Sequence, residues 1–285
     1  MVFLQLLLLA LGFVLLVKGA DWFVEGSSGI ADRFGIPQLV IGLTIVAMGT
    51  SAPETAVSIT AAIKGNADIA VGNVVGSNIL NILIILGISS VITSIAVAKT
   101  TIRYEIPIML GITVLLLGFG VYGGTICWWE GLILLACFAG YLLYMFVMVK
   151  KGQMQSEEIE SVQKPLWKLL LAAVVGLGFI IWGSDVTVDA ATALAKIFGM
   201  SEKFIGLTVV ALGTSLPELF TSVIAAKKGK ADIVIGNIVG SNIFNILFVI
   251  GTSSLIIPVT FEMSFVYDCL VAVGEIGRAS CRERV

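Results

Sequence analysis

Gly49-Thr50-Ser51-Ala52-Pro53-Glu54 recurs 164 residues later as Gly213-Thr214-Ser215-Leu216-Pro217-Glu218. Each copy lies inside a long apolar run. A proline there removes a backbone donor and blocks the helical bond to the residue four back, which frees the carbonyls of Gly49 and Gly213. An ionised carboxylate at such a place is costly unless something pairs with it, so acids within a membrane span mark functional sites. Two kinked helices with their glutamates in water would be the plain alternative. The apolar residues on both sides of Glu54, from Leu39 to Met48 and from Ala56 to Ile63, weigh against it.

The duplication extends well beyond these hexapeptides. Residues 41–54 and 205–218 share 11 of 14 positions, and residues 65–82 and 229–246 share 13 of 18, all at the same offset. One fixed spacing throughout makes each copy a single structural unit. Hydrophobic residues are 58 % of the 285 and charged ones 13 %, against about 45–50 % and about 25 % in soluble domains. The chain is therefore an all-α integral membrane protein, and nucleic acid is not a credible ligand.

Crossing about 30 Å of hydrocarbon takes about 20 residues. Apolar runs of that order cover 2–28, 37–63, 69–98, 104–123 and 126–149, and then 166–188, 203–226, 233–257 and 261–274. Five spans precede the second copy, an odd number, so that copy enters the membrane upside down. An inverted repeat of five transmembrane helices each is the architecture of secondary transporters, with the site at the midplane. The chain divides into a first repeat over 1–150, a polar cytoplasmic loop over 151–165, a second and incomplete repeat over 166–273, and a tail over 274–285 that reads as non-native sequence. Residues 2–17 lack the basic start and cleavage site of a signal peptide, which predicts a retained first span.

Loop charges orient the chain. With the N-terminus outside, the cytoplasmic side carries Arg33, Lys99, Arg103, Lys150, Lys151, Lys164, Lys168, Lys227, Lys228 and Lys230, and the outer side only Lys64, Lys196 and Lys203. The positive-inside rule favours that arrangement, with the long loop in the cytoplasm. Lys18 is placed to snorkel or to pair with Asp21, and Asp21 and Asp185 are read as span ends. Glu105 and Glu130 are read as favourable charges at helix N-termini, and Trp128 and Trp129 as an interfacial aromatic belt.

A second duplicated element follows each Pro-Glu pair. Asn73, Ser77 and Asn81 are spaced by four and share one helix face, as do Asn237, Ser241 and Asn245. Each face is a ladder of oxygens beside a broken helix, while Asn78 and Asn242 point off it and read as packing residues. Gly76 and Gly240 are expected to let another backbone approach. With the carbonyls freed by the prolines and the hydroxyls of Thr50, Ser51, Thr214 and Ser215, the donors are all oxygen. The chain has no histidine, which excludes His-based zinc sites and Ser-His catalysis, including the protease reading of Gly26-Ser27-Ser28-Gly29. Oxygen ligands suit a hard cation; calcium's tolerant coordination fits best, and sodium can use the same oxygens singly.

These motifs resemble the two alpha repeats of the sodium/calcium exchangers, in particular the prokaryotic calcium/sodium antiporters, from about residue 2 to 273. The resemblance implies a ten-helix exchanger fold in the cell membrane, with the last hairpin absent here, and Ca2+ and Na+ as transported ions without a cofactor or enzymatic activity. It implies a central calcium site of Glu54 and Glu218 with the backbone oxygens of Thr50 and Thr214. Sodium positions would draw on Ala47, Ser51 and Ser77, and on Ala211, Ser215 and Ser241, with Asn81 and Asn245 at the midplane. Several relatives carry Asp where this chain has Asn245, which leaves the site at −2 and argues against potassium dependence. Gly12 and Gly19, with Gly176 and Gly183, give the first and sixth spans a smooth stripe; the family implies that this pair slides, whereas tight static packing would look the same in sequence. A calcium/proton antiporter on the same fold and a cation channel are the competing readings.

Overall fold

Lipid offers no partner to a backbone N–H or C=O, so a spanning segment must bond its own backbone, and the apolar runs become helices. The computed structural model describes residues 2–66, 68–95, 97–150, 164–200, 209 and 211–282. The expected loop over 151–163, Lys203 and most of the stretch before Ala211, and the last three residues lie outside them. The helices are α1 (Val2–Phe34), α2 (Gln38–Thr50), α3 (Ala52–Ile63), α4 (Ile69–Ile92), α5 (Thr101–Gly123), α6 (Trp128–Lys150), α7 (Leu166–Ile197), α8 (Ala211–Thr214), α9 (Leu216–Lys227), α10 (Ala231–Ile256) and α11 (Ser264–Arg282). Among the described residues six are long and apolar enough to cross a membrane, and α2 with α3 forms a seventh span bent by 47° at Ser51. The short strands β1 (Thr125–Ile126) and β2 (Val259–Thr260) pair antiparallel and tie the α5–α6 connection to the α10–α11 connection.

The first and sixth spans are longer than their apolar runs suggested. At 1.5 Å per residue, the 33 residues of α1 cover about 50 Å. Asp21 thus lies within α1, and its partner is Lys228 at 2.7 Å rather than Lys18. Lys164 pairs with Glu25, and Arg33 donates to the Lys164 carbonyl at 3.3 Å. These bonds gather the end of α1, the start of α7 and the end of α9 at one pole of the bundle.

α1 and α7 cross through their glycines. A Cβ at Gly19 would lie 2.8 Å from the Gly176 carbonyl, and one at Gly176 would lie 2.7 Å from the Gly19 carbonyl. Gly12 and Gly183 meet in the same way further along, each carbonyl 3.0 Å from where the other's Cβ would stand. The pair also touches both broken spans: Phe23 and Leu177 rest on Gly49, and Val188 rests on Gly213.

α4 and α10 are duplicates in unequal surroundings, since almost all of α10 is buried and little more than a third of α4. α10 crosses α2, where a Cβ at Gly42 would lie 2.9 Å from the Gly236 Cα and one at Gly240 would lie 2.6 Å from the Leu43 carbonyl. α6 covers another side, with Phe138 against Phe244 and Phe248. Gly76 departs from expectation: among the described residues nothing lies within 4 Å of a Cβ placed there. Among the described residues only Gly240 of the two serves as a contact point; residues 206 and 207, which repeat Gly42 and Leu43, lie outside them. Glu105 departs too, because α5 begins at Thr101 with a wide π turn. Its carboxylate therefore sits past the first turn, fully buried, accepting from the Tyr144 hydroxyl at 2.9 Å.

The crossing makes a direct test. Gly176→Leu must displace Phe23 backbone and is expected to cost about 1–3 kcal/mol, as overpacking does, and to lower the melting temperature in detergent. Gly178→Leu, with nothing within 4 Å of its Cβ, should melt like the parent; equal loss in both variants would mean that the stripe is not the contact.

Candidate cation site

Both broken spans break in the same way. Ser51 (φ −81°, ψ 14°) and Ser215 (φ −88°, ψ 5°) sit in the sparsely populated bridge between helical and extended backbone. The next helices restart at Ala52 and Leu216 with proline second, where its missing N–H removes no helical bond. Glu54 and Glu218 therefore fall in the first turns of α3 and α9, at the positive end of each helix dipole. Both are fully buried. The carbonyls of Gly49 and Gly213 thus lie at the end of the helix ahead of each break and are not freed by the prolines; that of Gly213 accepts from the Ser184 hydroxyl at 2.8 Å, a bond from α7 into the break.

The two repeats are cross-bonded at this point. Ser51 of the first donates to Glu218 Oε1 at 2.7 Å, and Ser215 of the second donates to Glu54 Oε1 at 3.2 Å. Ser77 donates to the same Glu54 oxygen at 3.4 Å and lies 3.1 Å from the Ser215 hydroxyl. Asn73 donates to the Glu54 carbonyl (3.1 Å) and to Ser58 (3.0 Å), and Asn237 repeats this with the Glu218 carbonyl (3.4 Å) and Ser222 (3.0 Å). On one side the ring is tighter: Thr50 donates to Asn237 Oδ1 at 3.0 Å and Ser241 to the Ala47 carbonyl at 3.4 Å. On the other, among the described residues Thr214 bonds only to Ala211 of its own helix, at 3.3 Å, and Ala211 is exposed.

After these bonds are drawn, four oxygens remain with no donor: Glu54 Oε2, Glu218 Oε2, Asn81 Oδ1 and Asn245 Oδ1. Each belongs to a fully buried residue. A hydroxyl can turn to find a partner, but a carboxylate or carboxamide oxygen can only accept. Buried acceptors without donors are costly, and a cation is one partner that such oxygens can take. Among the described residues no cluster of three or more His, Cys, Asp or Glu side chains exists that could hold a metal. One further acceptor of this kind, Glu105 Oε2, belongs to the separate Tyr144 pair.

The sequence reading left out the supports of this site. Ser58 and Ser222 stand four residues after the glutamates, one helical turn on, and that spacing was the available signal. Asn78 and Asn242 are not mere packing residues, since they bond the side chains of Asn245 and Asn81 across the repeats.

The profile of the family described as "Sodium/calcium exchanger protein" matches residues 4–147 and 168–276. The chain is 43 % identical over 254 residues to "Putative antiporter CaxA" of Alkalimonas amylolytica, covering 87 % of this chain and 79 % of that protein. It is 32 % identical over 313 residues to "Sodium/calcium exchanger MaX1" of Methanosarcina acetivorans, covering 96 % and 89 %. A solved structure of the sodium-calcium exchanger NCX_Mj soaked with Na+ and Sr2+ superposes with a TM-score of 0.86 at 35 % identity, covering 99 % of this chain and 91 % of that one.

Asn237 makes three buried hydrogen bonds and Asn73 two. At about 0.6 kcal/mol for an interhelical bond in a membrane, Asn237→Ala is expected to cost about 2 kcal/mol and Asn73→Ala about 1. Thermal melts that ranked them the other way would contradict the asymmetry between the two halves.

Proposed function

Because the chain belongs to the sodium/calcium exchanger family, we propose that it is a secondary active antiporter that exchanges Ca2+ for Na+ across the cell membrane by alternating access. The observation that carries this reading is the set of four buried, donorless oxygens on Glu54, Glu218, Asn81 and Asn245. Calcium takes six to eight oxygens in tolerant geometry. The two carboxylates match its charge, and the backbone oxygens of Thr50 and Thr214 complete the central position.

Sodium carries half that charge and relies on neutral ligands. Ser51, Ser77 and Ser215 already point at the glutamates, and Ser241 bonds the Ala47 carbonyl. With Ala211 they supply two flanking sodium positions, one per repeat. These hydroxyls favour sodium over a proton as the coupling ion; a Ca2+/H+ antiporter would need only the glutamate pair. Asn245 keeps the site at −2, which favours exchange without potassium.

The N-terminus is assigned to the outside. The contacts of Arg33, Lys164 and Lys228 at one pole support this, because those residues belong to the side richer in Lys and Arg. α1 and α7 form the sliding pair: they meet backbone to backbone, touch both broken spans and hold the Gly213 carbonyl through Ser184.

In proteoliposomes, Ca2+ uptake is expected only against an opposed Na+ gradient. Glu54→Gln or Glu218→Gln should abolish it, since each removes a charge and a bidentate oxygen. Uptake driven equally by a proton gradient would favour the proton antiporter, and uptake with no countergradient would favour a channel.

Charge movement follows from the same ligands. One Ca2+ or two Na+ neutralise Glu54 and Glu218, whereas three Na+ leave +1 to cross, worth about 2.3 kcal/mol per 100 mV. With three Na+ per Ca2+, an inside-negative potassium-valinomycin potential should accelerate Na+ entry and Ca2+ exit. A flux indifferent to that potential would leave two Na+ per Ca2+.

A further inference from the structure

Asn78, Asn81, Asn242 and Asn245 are all buried, and they close a reciprocal network where α4 crosses α10. Asn78 Nδ2 donates to the Asn242 main-chain carbonyl at 3.2 Å, and Asn242 Nδ2 donates to the Asn78 carbonyl at 3.4 Å. The other end of each amide turns to the partner repeat's ladder. Asn78 Oδ1 accepts from Asn245 Nδ2 at 3.2 Å, and Asn242 Oδ1 accepts from Asn81 Nδ2 at 2.9 Å.

A carboxamide can turn over, and only its partners decide which end points where. Here the decision begins at the backbone. A main-chain carbonyl only accepts, so Asn78 must present its nitrogen to Asn242 and its oxygen to Asn245. That oxygen accepts only, so Asn245 must answer with its nitrogen and aim its own oxygen the other way. The same steps run from the Asn78 carbonyl through Asn242 to Asn81. The oxygens at the two ends of the chain, Asn81 Oδ1 and Asn245 Oδ1, are the ones left without a donor.

We propose that Asn78 and Asn242 are positioning residues that lock the carboxamides of Asn245 and Asn81 oxygen-first toward the transported ion. This rests on the reading above that Asn81 and Asn245 face that ion. Without the lock, each amide would spend part of its time presenting N–H groups to a cation. Because each lock sits on the opposite repeat, α4 orients the ligand of α10 and α10 that of α4.

The test uses a carboxylate, which offers oxygen whichever way it turns. In the full chain in detergent, Asn78→Ala is expected to weaken 45Ca2+ binding about tenfold, the loss of one well-aligned polar ligand. In an Asn245→Asp background the same substitution should cost nothing or tighten binding, because Asn78 Oδ1 then faces an acceptor and only hinders it. Asn78→Ser, whose hydroxyl can donate to Asn242 and accept from Asn245, should keep most of the affinity. An equal loss from Asn78→Ala in both backgrounds, or a loss in Asn78→Ser as large as in Asn78→Ala, would overturn the lock and leave packing. If Asn78→Ala does not fold, Asn242→Ala in Asn81 and Asn81→Asp chains makes the same comparison. The underlying site fails separately: if Asn245→Ala and Glu218→Gln both bind 45Ca2+ like the parent, the ion does not sit at these oxygens and the lock falls with it.

Discussion

Negative charge in hydrocarbon needs a compensating charge, and the rest of this fold follows from how Glu54 and Glu218 meet that need. Their local help comes from breaking a helix. Each break puts its glutamate in a first turn, where the dipole is favourable and backbone N–H groups point the right way. The remaining help crosses between repeats, from Ser51 to Glu218 and from Ser215 to Glu54. Glu54 also accepts from Ser77 of its own repeat, but each glutamate takes a hydroxyl from the other repeat, so the full set of donors forms only when the two are interlocked. One oxygen on each glutamate is still left over, and the proposed exchange gives that residual demand to a cation.

The crossings that hold the repeats together also set what can move. α10 lies against α2 at Gly42 and Gly240, close enough for backbone contact, and the asparagine network ties it to α4. In the proposed alternating access these elements are the fixed centre. α1 and α7 cross backbone to backbone at their glycines, with Trp22 against Phe179 beside the crossing, and they meet the broken spans at Gly49 and Gly213. A pair so built can shift against the centre while keeping its own contacts, which is what the proposed alternating access requires.

Much of this was legible in the sequence because it is local or duplicated. The prolines announced the breaks, the fixed offset announced the inversion, and spacing by four announced the ladders. What could not be read depends on how distant segments meet. Asn78 lies off its ladder by helical geometry, and only the approach of α10 turns it into the partner of Asn245. Gly76 and Gly240 share one motif, yet among the described residues only Gly240 receives a backbone. Asp21 was read with its neighbour Lys18, whereas its cation comes from the end of α9. Glu105 looked like a helix-start charge until an extra π turn ahead of it moved it into the interior against Tyr144.

The proposed exchange places a single divalent ion among the four donorless oxygens. Crystals of the protein grown without Na+ and soaked in Sr2+ or Ca2+ test it directly through anomalous scattering. One strong peak is expected bridging Glu54 and Glu218, within about 2.3–2.6 Å of their free oxygens for calcium, and lost in Glu218→Gln. A peak elsewhere, or a site that stays empty at saturating ion while Ca2+ transport persists, would contradict it.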